Sequence, residues 1–232
     1  MAERGTTRKK RHALSTRLWH WVNALSFFIL FMSGLNISNA HRYLYWGDWG
    51  FMPEQAWLEV PRFPGWMTIP SYYSLAAARD WHVLFAWVFS LGLLLFMIAA
   101  LRNGHFRYDL VTRWRDWKPS AVWADIARHL KFDFRREGSK YNFLQKANYG
   151  LVIFILLPGM IFTGMAISPG MNAAWPWLLD VFGGRQSARS LHFIFAWLLF
   201  AFTVGHILLV LLTKPDEQIG DMITGGIDDE AA

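Results

Sequence analysis

The 232-residue chain contains no cysteine. It therefore has no thiolate ligands for an iron–sulfur cluster or a structural zinc ion, and it cannot attach a haem through thioethers. Charge is also missing from four long stretches, which cover residues 18–41, 81–101, 147–179 and 190–213. Each stretch can hold the roughly 20 apolar residues that cross a bilayer as a helix. These absences point to an integral membrane protein without thiol chemistry.

The residues that are present support this interpretation, since 54% are hydrophobic and 17% aromatic. We predict an all-α membrane protein whose single domain, residues 1–232, is a four-transmembrane-helix bundle. The predicted helices cover about residues 18–36, 80–101, 143–167 and 189–213. The first is interpreted as a membrane helix rather than a signal peptide, because its apolar run is long and contains His20. The acidic segment 216–230 is predicted to be a flexible end or a local contact.

Basic residues set the orientation of the predicted helices. Six Lys or Arg precede residue 18 and ten lie in residues 102–140, whereas residues 36–78 contain only Arg42 and Arg62. By the positive-inside rule, both termini and the central loop are cytoplasmic, and the other two connections face outward. The net charge of +6 is therefore a topology signal, and we expect no nucleic-acid partner.

Four histidines, His20, His82, His192 and His206, lie inside the apolar stretches, where ionisable side chains are costly and usually functional. On a helix, His192 and His206 would share one face and stand roughly 21 Å apart. The topology places His20 and His206 at cytoplasmic depth, and His82 and His192 at outer depth. Two pairs at two depths in a helical bundle predict two b-type haems: His20 and His206 would bind the inner iron, and His82 and His192 the outer iron.

Other roles for membrane histidines are a proton relay in a transporter and hydrogen bonding within a bundle that holds no cofactor. Zinc is less favoured, because its usual third and fourth ligands are missing from these helix faces. The pairing by depth and the fourteen-residue spacing favour haem.

An arginine stands three residues before three of these histidines, at Arg17, Arg79 and Arg189. On a helix this is one turn toward the nearer water interface, on about the same face. Guanidinium binds carboxylate well, so these arginines are predicted to bind haem propionates. The alternative is that they flank membrane helices and extend to the interface. Gly34 and Gly205 would leave room beside a haem, although small residues also serve helix packing.

At these residues the chain resembles the bacterial di-haem cytochrome b family, of the cytochrome b561 type. That family includes membrane subunits of nickel–iron hydrogenases and respiratory formate dehydrogenases. The resemblance rests on R-L-W-H-W at residues 17–21, W-H at 81–82, and His192 with His206. Four shorter segments resemble a subgroup paired with periplasmic molybdopterin oxidoreductases: L-Y-W-G at 44–47, P-G-W at 64–66, Y-N-F-L-Q-K at 141–146 and F-G-G-R-Q-S-A-R at 182–189.

The resemblance implies a multi-pass subunit of the bacterial inner membrane, with lipid around it and two haems b bound through the same four histidines. It would anchor a periplasmic redox subunit, a molybdopterin oxidoreductase by the subgroup's resemblance, and pass electrons between that subunit and the quinone pool of a respiratory chain. Whether the chain is itself an enzyme stays open. The direction of flow depends on the partner's potential.

Candidate quinone ligands lie at the cytoplasmic start of the third helix, at the depth of the inner haem. Asn142 and Gln145 could hydrogen-bond quinone carbonyls within an apolar slot. Related cytochromes are similar in placing quinone there. The alternative is that polar residues at a helix start cap the helix or contact lipid headgroups.

Two other functions are open at this point. The chain could be a stand-alone membrane oxidoreductase of the same fold, acting on a small oxidant or reductant at the outer haem. It could also be a histidine-dependent, proton-coupled transporter. The long outer segment 36–78 is rich in aromatic residues, which suit either an interfacial belt or a docking surface.

Overall fold

The computed structural model describes residues 13–102, 117–130, 143–213 and 215–226. Within these ranges it contains four helices that are long and apolar enough to cross a membrane, so the predicted number of spans is confirmed. They cover Leu14–Ala40, Leu75–Arg102, Phe143–Ile167 and Arg185–Leu212. Large apolar side chains on them are exposed, including Leu84, Leu95 and Leu208. This exposure suits helices whose surroundings are hydrocarbon rather than water.

Shorter elements connect the long helices. In chain order the elements are α1 (Leu14–Ala40), β1 (Tyr43–Leu44), β2 (Leu58–Glu59), α2 (Leu75–Arg102), α3 (Pro119–Leu130), α4 (Phe143–Leu151), α5 (Leu157–Ile167), α6 (Pro169–Ala174), α7 (Trp177–Val181), α8 (Arg185–Leu212) and α9 (Pro215–Thr224). A π-helical segment, Val152–Leu156, joins α4 to α5 just before Pro158. Proline cannot donate a helical hydrogen bond, so a wider turn on its N-terminal side is a common local adjustment.

The chain divides into two compact units. The first comprises Met1–Arg42, Val60–Phe96 and Phe200–Ala232, and so contains α1, most of α2, the end of α8 and α9. Trp19 of α1 stacks on Phe96 of α2 with ring centroids 4.4 Å apart. Phe31 of α1 stacks on Phe200 of α8 at 4.5 Å. Aromatic side chains therefore hold α1 against both neighbouring helices of this unit.

The C-terminal end of α1 is bound by the segment that follows Val60. Asn36 is fully buried, and its amide donates hydrogen bonds to the carbonyls of Pro70 and Tyr72, each at 3.0 Å. Asn39 and Phe63 exchange two hydrogen bonds, of 2.9 and 2.8 Å. These amides satisfy backbone groups of a largely irregular segment, whose described secondary structure is the short 3-10 helix Gly65–Met67.

The second unit comprises Tyr43–Glu59 and Met97–Leu199. Here β1 and β2 form a short antiparallel hairpin, with Tyr43 opposite Glu59. The hairpin is bound to the start of α8: the backbone N–H groups of Gln186 and Ser187 both donate to the Gly47 carbonyl, at 3.0 and 3.1 Å. The first turn of α8 is thus capped by a segment about 140 residues earlier in the chain.

Gly184 makes this contact possible. Its φ is +103°, which disfavours other residues, and a Cβ there would lie 2.6 Å from the Gly47 carbonyl oxygen. Ser190, also on α8, donates to the Tyr45 carbonyl at 2.6 Å and accepts from the indole N–H of Trp57 at 2.9 Å. Together these bonds fix the hairpin to the helix that carries His192.

Candidate haem sites

The two histidines assigned to the inner haem lie together in the first unit. His20 of α1 and His206 of α8 have ring centroids 6.3 Å apart, with their planes inclined by 62°. A metal bonded to two imidazoles through bonds of about 2 Å separates the ring centroids by about 6 Å. The observed separation therefore fits two imidazoles that would hold one haem iron, which would supply one-electron redox chemistry there.

The surroundings of this pair are aromatic and partly open. Phe202 stacks on the His206 ring at 6.1 Å with an angle of 14°, and Trp21 meets the His20 ring edge-on at 5.0 Å. A Cβ added at Gly205 would meet nothing within 4 Å. Aromatic walls beside open space fit a flat apolar macrocycle.

Arg17, predicted to bind a propionate of the inner haem, is 9% exposed and donates from its Nη1 atom to the Ile223 carbonyl at the end of α9. Trp21 likewise donates its indole N–H to the Met222 carbonyl, at 3.1 Å. The buried Nε atom of Arg17 has no hydrogen-bond partner within the part of the chain that the structure describes. The guanidinium thus binds the end of α9 through Nη1. Its buried Nε–H remains a donor, which suits an acidic ligand such as a propionate.

His82, assigned to the outer haem, contacts α1. Its Nδ1 atom lies 2.9 Å from the Ser33 hydroxyl oxygen. A Cβ added at the next residue, Gly34, would lie 3.6 Å from Cε1 of the same ring. Gly34, which was predicted to lie at the depth of the outer haem, thus lies beside His82. Because glycine has no side chain, the ring can pack against α1 at this point.

His192, the other outer ligand assigned by sequence, contacts α5 in the second unit. Its Nδ1 atom lies 2.9 Å from the Thr163 hydroxyl oxygen. A Cβ at the next residue, Gly164, would lie 3.3 Å from Cε1 of His192, which is closer than most contacts that Cβ atoms make in proteins. Sequence reasoning did not select Ser33 or Thr163. The available signal was a hydroxyl residue directly before a glycine within an apolar stretch.

The two other predicted propionate ligands differ in exposure. Arg79 is exposed on α2, one turn before His82. Arg189 is half-buried on α8, and it donates from Nη1 to the Gln186 side-chain oxygen at 2.9 Å. Each of these arginines stands three residues, about one helical turn, before its histidine on the same helix, and would hold a propionate there.

Of the two quinone candidates, Asn142 lies outside the described residues, and Gln145 is half-buried in the first turn of α4. The start of α4 is capped from α3: the Leu144 N–H donates to the Asp125 carboxylate at 2.9 Å, and Arg128 pairs with the same carboxylate at 3.2 Å. Asp125 is only 2% exposed. This buried carboxylate, which sequence reasoning did not select, fixes the turn that carries Gln145.

The model of prokaryotic cytochrome b561 matches residues 11–225, which is nearly the whole chain. The chain belongs to the prokaryotic cytochrome b561 family. It is therefore a multi-pass haem b protein of the bacterial inner membrane that transfers electrons, as the sequence predicted.

Among curated proteins, the chain is similar to YedZ1 of Azospira oryzae, whose name describes a subunit of a protein-methionine-sulfoxide reductase. The two are 27% identical over 204 residues, which cover 84% of this chain and 87% of YedZ1. No solved structure matches the chain significantly.

Proposed function

We propose that this cytochrome binds two haems b at two membrane depths and carries electrons between quinone and a periplasmic redox partner. His20 and His206 hold the inner iron, and His82 and His192 hold the outer iron. The observation that carries the proposal is the 6.3 Å separation of the His20 and His206 rings. The pairing of His82 with His192 rests on the topology predicted from the basic residues.

A bound haem supplies reversible one-electron transfer. The contribution of this chain is to hold two such groups apart across the bilayer. His192 and His206 lie on one continuous helix, α8, and fourteen residues correspond to roughly 21 Å along its axis. Arg17, Arg79 and Arg189 would bind the propionates and so fix each haem by its polar edge as well as by its iron.

Quinone would bind at the cytoplasmic end, beside the inner haem. Gln145 offers both a donor and an acceptor to a quinone carbonyl, and Asn142 lies three residues earlier in the sequence. The cap that Asp125 forms on α4 supports a binding role for Gln145, because a fixed helix start positions its side chains.

The partner would dock on the outer side. The similarity to YedZ1 and the four short segments that resemble the subgroup favour a periplasmic molybdopterin oxidoreductase as this partner. The β1–β2 hairpin supports this. Trp46, Trp49 and Phe51 in it are exposed by 50%, 78% and 76%. Rigid exposed aromatic side chains are common in the centres of protein interfaces. A cytochrome that acts alone on a small oxidant or reductant is the alternative.

The proposal is tested with the purified cytochrome in lipid nanodiscs. We expect decylubiquinol or a reduced menaquinone analogue to reduce both haems, and a periplasmic oxidoreductase to co-purify from cross-linked membranes. Failure of both quinols to reduce either haem would contradict the quinone role. Haem reduction without any redox partner, together with turnover of a small oxidant, would favour the stand-alone enzyme.

A further inference from the structure

The two proposed outer-haem ligands have matching surroundings on two different helices. Residues 33–38 at the end of α1 are Ser-Gly-Leu-Asn-Ile-Ser, and residues 163–168 at the end of α5 are Thr-Gly-Met-Ala-Ile-Ser. In each segment the first residue carries a fully buried hydroxyl that contacts a histidine, and the following glycine gives that ring its space. Two similar segments, each with a hydroxyl residue followed by glycine, thus pack against His82 in one unit and against His192 in the other.

The Ser33 hydroxyl has two polar neighbours. It donates to the Leu30 carbonyl at 3.1 Å, which is one turn earlier on α1, and it lies 2.9 Å from Nδ1 of His82. A hydroxyl has a single hydrogen. Because that hydrogen is directed to the helix carbonyl, the Ser33 oxygen is left as an acceptor for His82.

Thr163 has the same arrangement on α5. Its hydroxyl donates to the Gly159 carbonyl at 2.6 Å, with the Met160 carbonyl 3.2 Å away, and Nδ1 of His192 is at 2.9 Å. Hydroxyl residues in apolar helices commonly bond to a carbonyl of the preceding turn. The Thr163 oxygen can therefore accept a hydrogen bond from an N–H at Nδ1 of His192.

An acceptor at Nδ1 determines the tautomer of each ring. When Nδ1 carries the proton, the lone pair of the neutral imidazole is on Nε2, which is the atom that can bind iron. A metal-binding histidine usually donates its other N–H to an outer acceptor, which orients the ring and raises its basicity as a ligand. Stronger electron donation to the iron favours the ferric state.

We propose that Ser33 and Thr163 are positioning residues of the outer haem, each accepting a hydrogen bond from the Nδ1–H of its histidine ligand. This inference rests on the proposed function, since it requires His82 and His192 to be iron ligands. The two hydroxyls hold both rings with Nε2 directed away from α1 and α5. They also lower the midpoint potential of the outer haem relative to a site without these acceptors.

The test uses redox potentiometry of the full-length, haem-loaded protein in detergent. Thr163→Val keeps the shape of the side chain and removes the hydroxyl, whereas Thr163→Ser keeps the hydroxyl. Ser33→Ala removes the other acceptor. The matched control is Ser26→Ala, because the Ser26 hydroxyl is also buried on α1 but has no hydrogen-bond partner among the residues that the structure describes.

We expect Thr163→Val and Ser33→Ala to raise the midpoint potential of the same haem and to leave the other haem unchanged. The low-temperature electron paramagnetic resonance spectrum of that ferric haem should change in parallel. Thr163→Ser and Ser26→Ala should match the unmodified protein in both measurements.

Unchanged potentials and spectra with both haems bound would overturn the inference, as would a shift confined to the haem that His20 and His206 hold. If Thr163→Val does not fold, Ser33→Ala alone decides, by the same readouts. A failure of the underlying assignment is recognised separately: His82→Ala and His192→Ala would then retain the full haem content.

Discussion

Arg17, in the first turn of α1, donates a hydrogen bond to the backbone carbonyl of Ile223, 206 residues later at the end of α9. Carbonyl groups at a helix C-terminus lack partners within the helix and favour a cation nearby. Trp21 donates to the adjacent carbonyl of Met222. The acidic segment 216–230 was predicted as a flexible end or a local contact. In its described part, α9 is a short helix whose last residues bind α1 beside His20.

This arrangement separates two roles of Arg17. Arg17→Gln and Trp21→Phe should both expose the C-terminal segment to limited proteolysis, since each removes one bond to α9. Only Arg17→Gln should lower the midpoint potential of the inner haem, because only it removes a positive charge that favours the added electron. Equal inner-haem potentials in the two variants would show that Arg17 serves α9 alone.

Asp125 should control the quinone site through α4. Asp125→Ala removes the cap on Leu144, and we expect it to lower the free energy of unfolding by about 1 kcal/mol. It should also slow quinol oxidation, because the first turn carries Gln145. Asp125→Asn keeps a side-chain oxygen as acceptor and should retain most of the activity. Thermal unfolding and quinol turnover measure the two effects, and normal turnover in Asp125→Ala would argue against a positioned Gln145.

Gln145 itself should affect quinone reactions without affecting haem binding. We expect Gln145→Ala to lower quinol-linked turnover several-fold while the haem spectrum stays unchanged, because the side chain would bind a quinone carbonyl. Asn148→Ala is the matched control, since Asn148 is an exposed amide on the same helix. Equal turnover in both variants would place the quinone elsewhere.

Ser190 should determine how firmly the β1–β2 hairpin is held against α8. Ser190→Ala leaves the Tyr45 carbonyl and the Trp57 indole N–H without their shared bonds, which should cost about 1–3 kcal/mol in unfolding free energy. Trp57→Phe removes only one bond and should cost less. Hydrogen exchange of residues 43–59 should rise in the same order. Unchanged hydrogen exchange in Ser190→Ala would mean that the bonds from Gln186 and Ser187 to the Gly47 carbonyl hold the hairpin without Ser190.

Local patterns account for what could be predicted from the sequence. Uncharged stretches of bilayer length predicted the four long helices, and the positive-inside rule assigned depths that place His20 with His206. Partners that depend on distant residues were not predictable in this way. Ser33, Thr163 and Asp125 bond to groups 49, 29 and 19 residues away, and helical periodicity does not identify such partners.

The third span differs from the predicted helix in one detail, which lies next to Pro158. Residues 143–167 were predicted as one helix, and the structure covers this range with α4, a π-helical segment just before Pro158, and α5. The sequence indicates that proline disturbs the helix. It does not indicate whether the adjustment is a bend or a wider turn, because that depends on the packing of neighbouring side chains.

The central claim is that four histidines hold two haems, and haem content measures it most directly. The pyridine haemochrome assay should give two haems b per chain in the unmodified protein. His20→Ala and His206→Ala should each lose one haem, His82→Ala and His192→Ala should each lose the other, and His41→Ala, outside the four, should keep both. One haem per chain in the unmodified protein, or four histidine variants that all retain two haems, would contradict the account.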